Sequence, residues 1–319
     1  MSKLTTFIKH PVISLKSKVS DYKNNKLSYY LQPEIFAKLP DKKAIKVRYY
    51  LNFGEKLNLR HPETFNQKLQ WLKLYDRNPK YTNLVDKYEV KKIVADIIGE
   101  EYIIPTLGVW DSAEEIDFDA LPDRFVLKCT HDSASVIICK DKSKFDIADA
   151  KKSLDACLKK NHFIFGREWP YKNVKPRIII EKYMQDNKEK DIKDYKFYCF
   201  NGIPKYLYVS EGLENHQTAK IEFFDMNFEP APFERSDFRK FEVKPEKPYN
   251  FEEMKELVKK LSNSISFVRV DFYEFDKKVY FGELTFYPCS GYMPFKPKEY
   301  DKILGDMLEL PKGKTRGKL

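Results

Sequence analysis

The chain has 319 residues, 42% hydrophobic and 15% aromatic, which supports a sizeable core and excludes general disorder. Its 11 glycines do not cluster, so the glycine-rich phosphate loops of the Walker and dinucleotide kinds are excluded. A net charge of +10 and a pI near 9.0 favour an anionic partner, although an AT-rich genome would write the same lysine-rich balance.

Residues 1–51 form a basic N-terminal arm broken by Pro11, Pro33 and Pro40, in which short helices are expected. Phe7, Ile8, Val12, Ile13 and Leu15 lie among Lys3, Lys9, Lys16 and Lys18, a mixture that suits an anionic membrane surface. The irregular apolar spacing suits packing onto the arm's own domain equally well. No run approaches a membrane span, and no apolar signal core follows the first lysines. Cys129, Cys139, Cys157, Cys199 and Cys289 contain no C-x-x-C pair, so neither a zinc site nor a disulfide framework is indicated. The expected location is cytoplasmic, with peripheral attachment to the inner face of the cell membrane left open.

Residues 52–122 read as an N-terminal helical/αβ region. Phe65, Leu69, Leu72 and Leu74 recur near helical spacing, and a second run passes through Val85, Tyr88, Val90, Ile93 and Ile97. A helical pattern from Thr64 to Ile98 therefore stops at Gly99. Tyr102–Val109 is β-rich. Arg124–Thr130 and Val136–Cys139 read as a hairpin, and Asp146 opens an amphipathic helix to Lys160. Ile178, Ile179 and Ile180 mark a buried strand over Arg177–Tyr183. Tyr195–Phe200 and Tyr206–Val209 flank Asn201-Gly202, a strong hairpin signal, and Ile221–Met226 is another strand. Phe251–Ser262 is a helix with Met254, Leu257, Val258 and Leu261 on one face, and Phe267–Tyr273 and Lys278–Phe286 make a last hairpin around Asp276-Lys277. The fold class is α+β with largely antiparallel sheets.

The residues suited to chemistry lie on these strands. Arg269 and Asp271 are two apart and share a face, as do Glu283 and Thr285 on the partner strand. If the hairpin pairs in register, one face carries two carboxylates, a guanidinium and a hydroxyl. Hard oxygens on a rigid sheet suit magnesium; a solvated cross-strand ion pair is the alternative. Lys128 stands in an otherwise uncharged strand and needs an anionic partner or a route to water. The tip His131-Asp132-Ser133-Ala134-Ser135 behind it could wrap a phosphate with backbone N–H groups. Asp194 and Lys196 again place a carboxylate and a cation on one face.

Together, Asp123–His131 (DRFVLKCTH), Gly166–Arg177 (GREWPYKNVKPR), Ile180–Met184 (IEKYM), Asp194–Gly202 (DYKFYCFNG), Phe267–Tyr273 (FVRVDFY) and Tyr280–Phe286 (YFGELTF) resemble the TupA-like (teichuronopeptide biosynthesis) family of the ATP-grasp superfamily. The resemblance runs in order from about Asn52 to about Gly305. It implies an ATP-grasp fold in which ATP is held between two antiparallel-sheet α+β units: residues 123–184 as a lid subdomain and 185–310 as a C-terminal subdomain with the metal site. Residues 311–319 are a basic tail. Lys128 would then contact the α and β phosphates, and the loop His131–Ser135, with Ser133 and Ser135, would close over the triphosphate. Glu181, Lys182, Tyr183 and Met184 would line the adenine. Asp194 would hold the ribose and Lys196 a phosphate. Asp271, Glu283 and Thr285 would hold Mg2+, and Arg269 would steady the transferred phosphoryl group.

Two departures stand out. Family members usually carry a Gly-Ser-Gly-like lid, where this chain has Asp132-Ser133-Ala134-Ser135; an aspartate there must face away from phosphate or pair with a lysine. Many ATP-grasp enzymes place asparagine where Thr285 stands, although the TupA-like group matches this chain at that point. The implied activity is a carboxylate–amine ligase using ATP and Mg2+ through an acyl phosphate. Its implied partners are an acidic glycan or lipid-linked sugar carboxylate, such as a uronic acid of a capsular or cell-wall polysaccharide, and a small amine or amino acid. A peripheral membrane or polysaccharide-assembly complex is left open, and no nucleic acid is expected. Lys172, Lys175 and Arg177 would fit an acidic glycan or a solvated face. The alternatives are a glycosyltransferase, for which Asp117-Phe118-Asp119 has the metal-binding spacing, a non-catalytic ATP-grasp-like partner-binding protein, and a kinase.

Overall fold

The computed structural model describes residues 33–132, 135–184, 193–213 and 218–312. The membrane-surface segment of the basic arm, Ser133 and nearly all of the basic tail therefore lie outside the described residues. The chain divides into two compact units, residues 1–58 with 164–167, and residues 59–163 with 168–319.

In the first unit, α1 (Pro33–Lys38) is followed by α2 (Asp41–Phe53). Gly54 ends α2 in a left-handed conformation, with φ of 71°, and its N–H reaches the Tyr50 carbonyl. Arg167 satisfies the last carbonyls around α1: its guanidinium donates to Phe36, Ala37 and Leu39 and stacks on the Phe36 ring.

The second unit opens with three helices rather than one continuous pattern: α3 (Phe65–Tyr75), α4 (Lys80–Val85) and α5 (Glu89–Ile98). Thr64 caps α3 through the Gln67 N–H, and Pro79, which has no N–H to continue a helix, separates α3 from α4. Asp86 ends α4 and accepts from the N–H groups of Tyr88 and Glu89 at 2.8 and 3.2 Å, which starts α5. Gly99 terminates α5, as the sequence indicates.

One antiparallel sheet has the order β1 (Thr106–Trp110), β4 (Ile178–Lys182), β2 (Phe125–Cys129), β3 (Ile137–Cys139). The helix α6 (Ile147–Leu158) is capped by Asp146 through the Asp149 N–H and covers this sheet with Ala150, Leu154 and Cys157. The β1 strand starts later than its composition suggests, because Glu100–Tyr102 forms a 3-10 turn before it.

The second antiparallel sheet has five strands in the order β10 (Lys278–Thr285), β9 (Phe267–Phe275), β5 (Lys193–Phe200), β6 (Ile203–Glu211), β7 (Lys220–Asp225). Both of its predicted tight turns form. Asn201 and Gly202 have φ of 52° and 79°, and Asp276 and Lys277 have 49° and 59°, the paired left-handed geometry that matches strand twist. The helix α7 (Phe251–Ser262) lays Phe251, Met254, Leu257, Val258 and Leu261 against this sheet. A short pair, β8 (Glu234–Arg235) and β11 (Phe295–Lys296), precedes α8 (Glu299–Met307), which packs on α3.

Candidate active site

Period-two alternation on β9 puts Arg269 and Asp271 on one face, and the β10 register places Glu283 opposite Asp271 and Thr285 opposite Arg269. A bulge between Phe281 and Glu283 sets that register. It needs Gly282, where an added Cβ would stand 3.1 Å from the Asp271 carbonyl. On the other side of β9, Lys196 of β5 lies opposite Asp271. Three adjacent strands thus converge on one buried carboxylate.

The contacts are dense. Lys196 Nζ is 2.7 Å from Asp271 Oδ2 and 3.3 Å from Asp194 Oδ1. Arg269 donates a fork to Asp271 at 2.7 and 2.6 Å and reaches Glu283 Oε1 at 2.7 Å. Thr285 donates to Glu283 at 2.9 Å, and Tyr208 accepts from Arg269 at 3.3 Å. The Asp271 side chain is 1% exposed, whereas that of Glu283 is 39% exposed. Burial pushes the Asp271 carboxyl upward, against the pull of Arg269 and Lys196. For Glu283, burial is outweighed by Arg269, Lys196 and Lys87, which hold it down at about 2. Burial opposes the charges of Lys196 and Arg269, but the neighbouring carboxylates outweigh it and keep both protonated.

Among the described residues, Asp194, Asp271 and Glu283 are in direct contact with Lys196 and Arg269, three carboxylates against two cations. Its donors are hard oxygens, and its outermost carboxylate is open to solvent. That donor chemistry fits magnesium, which takes one or two protein carboxylates and fills its other positions with water and phosphate oxygens. Among the described residues no cluster of three or more His, Cys, Asp or Glu forms a complete protein cage, so a metal here would rest on this pair.

On the four-stranded sheet, Lys128 Nζ of β2 lies 2.7 Å from Glu181 Oε2 of β4, and Lys91 of α5 pairs with the other oxygen. Burial pushes the Glu181 carboxyl up, but Lys128 and Lys91 outweigh it and hold it at about 2. Two cations against one carboxylate leave a positive charge on this sheet. The Glu181 side chain is therefore held by lysines. Lys182 is exposed, and its N–H is bonded to the Pro105 carbonyl; Tyr183 and Met184, both half-buried, run on beyond β4.

Three residues after β2 are tied down. His131 Nε2 lies 3.1 Å from the Lys160 carbonyl oxygen, and burial pushes its imidazole down. Ser135 Oγ donates to Asp132 at 2.6 Å and accepts from the Cys129 N–H at 2.7 Å. Asp132 also pairs with Lys87 at 3.7 Å and accepts from the Cys157 thiol at 2.9 Å. The unusual lid aspartate is thus paired with a lysine, which meets the condition its sequence position imposes.

Lys87 links the two sheets electrostatically, since its charge also reaches Glu283. Tyr171 does the same. Its hydroxyl is pushed up by burial and by Glu168, and it lies within the fields of Glu283, Arg269 and Asp132. Asp132 and the carboxylate face therefore lie within electrostatic reach of the same two side chains.

Sequence reasoning missed Lys87, Lys91, Tyr171 and Tyr208. Lys87 and Lys91 stand among other lysines with no local pattern that singles them out. In the basic group Lys172, Lys175 and Arg177, the two lysines are exposed and Arg177 is half-buried. Arg177 pairs with Asp86 and Glu89 at 2.8 Å each, Lys175 with Asp111 at 2.8 Å, and Lys172 sits over the Phe163 ring. In Asp117-Phe118-Asp119, Asp117 caps a turn by accepting from the N–H groups of Asp119 and Ala120, and Phe118 is buried.

Residues 67–309, well over half of the chain, match the model of a family described as TupA-like ATPgrasp. The chain belongs to the TupA-like ATP-grasp family. Membership places it among the ATP-grasp ligases, with ATP as substrate and Mg2+ as metal. No curated protein matches the chain. Among solved structures it is similar to D-alanine–D-alanine ligase from Helicobacter pylori, with TM-score 0.45, 18% identity, and coverage of 77% of this chain and 69% of that one. It is similar to the Bacillus anthracis D-alanine–D-alanine ligase complexed with ATP, with TM-score 0.39, 18% identity and coverage of 70% and 63%. It is also similar to the ATP-grasp ligase PsnB complexed with minimal precursor, with TM-score 0.39, 12% identity and coverage of 76% and 68%. The chain thus spans about two thirds of the length of each of these relatives.

Proposed function

We propose that this chain joins a carboxylate to an amine through an acyl phosphate, consuming ATP. The substrate oxygen attacks the γ-phosphorus, ADP leaves, and the amine then displaces phosphate to give the amide. Charge builds on the non-bridging phosphoryl oxygens in the first step and on the carbonyl oxygen in the second, so fixed cations are the residues needed. Arg269, held by Asp271, Glu283 and Tyr208, supplies a guanidinium that does not have to reorganise. Lys196 and Lys128 supply phosphate contacts from the two sheets. Asp271, Glu283 and Thr285 would hold Mg2+, which neutralises phosphate charge when bound. His131, Ser133 and Ser135 belong to the loop over the triphosphate, Glu181 to Met184 to the adenine edge, and Asp194 to the ribose. Residues 123–184 and 185–310 are the two gripping subdomains.

The observation that carries this proposal is the register of β5, β9 and β10, which gathers Lys196, Arg269, Asp271 and Glu283 within hydrogen-bond reach. For the carboxylate we propose a uronic-acid type group of a bacterial surface polysaccharide or its lipid-linked precursor, a choice supported by the family's teichuronopeptide association and by the +10 charge. The test is a screen of such carboxylates with amino acids, read as Mg2+-dependent release of ADP and phosphate. Release from the wild type that is lost in Glu283→Gln supports the ligase. Release of UDP or GDP from a sugar nucleotide would support a glycosyltransferase instead.

A further inference from the structure

Glu168 is 7% exposed and, among the described residues, makes no side-chain hydrogen bond or ion pair. Its carboxylate oxygens are absent from the sealed, partnerless atoms, so they keep contact with solvent. A buried carboxylate without a cation is costly, and such groups are retained where a ligand supplies the missing charge.

Its surroundings place it beside the site. Glu168 leads into the 3-10 turn Trp169–Asn173, with the Tyr171 N–H bonded to its carbonyl at 3.1 Å. That turn packs on α4, whose Tyr81 ring lies 4.4 Å from Phe286, the residue after Thr285 at the end of β10. Two phenols feel the Glu168 charge: Tyr171, which also feels Glu283 and Arg269, and Tyr287, just past β10. The carboxylate is therefore linked through α4 to the end of β10, the strand that carries Glu283 and Thr285.

We propose that Glu168, with the hydroxyls of Tyr171 and Tyr287, is the subsite for the primary ammonium group of the amine substrate. This rests on the ligase activity proposed above. One carboxylate flanked by phenols matches a cation that donates hydrogen bonds.

The test is thermal denaturation of the wild type, Glu168→Gln and Glu168→Asp, with Mg2+ and a non-hydrolysable ATP analogue. Ethylammonium, ethanolammonium or alaninamide chloride is added against equal tetraethylammonium chloride, which offers no N–H. Glu168→Gln without amine is expected to melt higher by about 2–4 °C, since an uncompensated charge has been removed. The primary ammonium salts should raise the wild-type midpoint above the tetraethylammonium control, raise Glu168→Asp partly, and leave Glu168→Gln unchanged. A lower midpoint for Glu168→Gln, or equal shifts by primary and quaternary salts in the wild type, would overturn the subsite. So would a shift by Mg2+ alone that Glu168→Gln removes, which would make Glu168 a metal ligand. Stabilisation by the ATP analogue, lost in Lys128→Ala, reads the nucleotide site separately. A subsite that fails while that stabilisation persists leaves the ligase activity standing, and a wild type that the ATP analogue does not stabilise sinks both.

Discussion

Replacing Glu181 with glutamine removes the charge that holds two lysines together across the four-stranded sheet. The side chain is 7% exposed and touches Lys128 and Lys91, so little solvent is available to compensate either ammonium. Its carboxyl falls from the ordinary 4.5 to about 2 in the folded chain; at 1.36 kcal/mol per unit this is worth about 3 kcal/mol. Lys91 offsets part of that, because its burial outweighs the pull of Glu181 and lowers its own pKa. About 3 kcal/mol is therefore an upper value, at the low end of the cost of breaking a buried pair. Because the folded-state value lies below the unfolded one, the stabilisation is complete above about pH 4.5 and is lost as pH falls through about 2. Urea unfolding of wild type and Glu181→Gln across this range should show a gap near neutrality that closes on acidification. A gap independent of pH, or a variant more stable than the wild type at neutral pH, would refute the reasoning.

Asp271→Asn and Glu283→Gln should both abolish Mg2+-dependent ADP release, but their stabilities should differ. Asp271 is 1% exposed between Arg269 and Lys196, so its neutralisation should cost about 3–5 kcal/mol by urea unfolding, whereas the solvent-open Glu283 should cost less. Turnover by either variant at the wild-type rate would reject the metal assignment. Lys128→Ala should weaken ATP binding by about 1.5–3 kcal/mol in titration calorimetry, the worth of a charged hydrogen bond, and an unchanged affinity would contradict the phosphate role. Gly305→Ala should lower the melting temperature, because a Cβ there would stand 2.2 Å from the Glu63 carbonyl and 2.7 Å from the Phe65 N–H, both backbone atoms. Overpacking of this kind costs about 1–3 kcal/mol, and an unshifted transition would show that α8 can slide on α3.

The elements of the site were legible wherever a short-range rule governs. Side chains alternate along any strand, so Arg269 with Asp271, and Glu283 with Thr285, share faces whatever the rest of the chain does. The Asn201-Gly202 and Asp276-Lys277 turns write their hairpins locally. The helix break at Pro79 was equally local, and apolar periodicity on both sides concealed it.

The sequence by itself determined which side chains would share a strand face and where the chain would turn, because those depend on neighbours a few residues away. Only the tertiary structure decided that β5 would lie against β9 and bring Lys196 to Asp271. It alone decided that Lys87, in the turn before α5, and Lys91 of α5 would meet Asp132 and Glu181, and that Glu168 would be buried without a partner. Those contacts join residues tens of positions apart, and sheet order, packing and burial set them with no trace in local spacing.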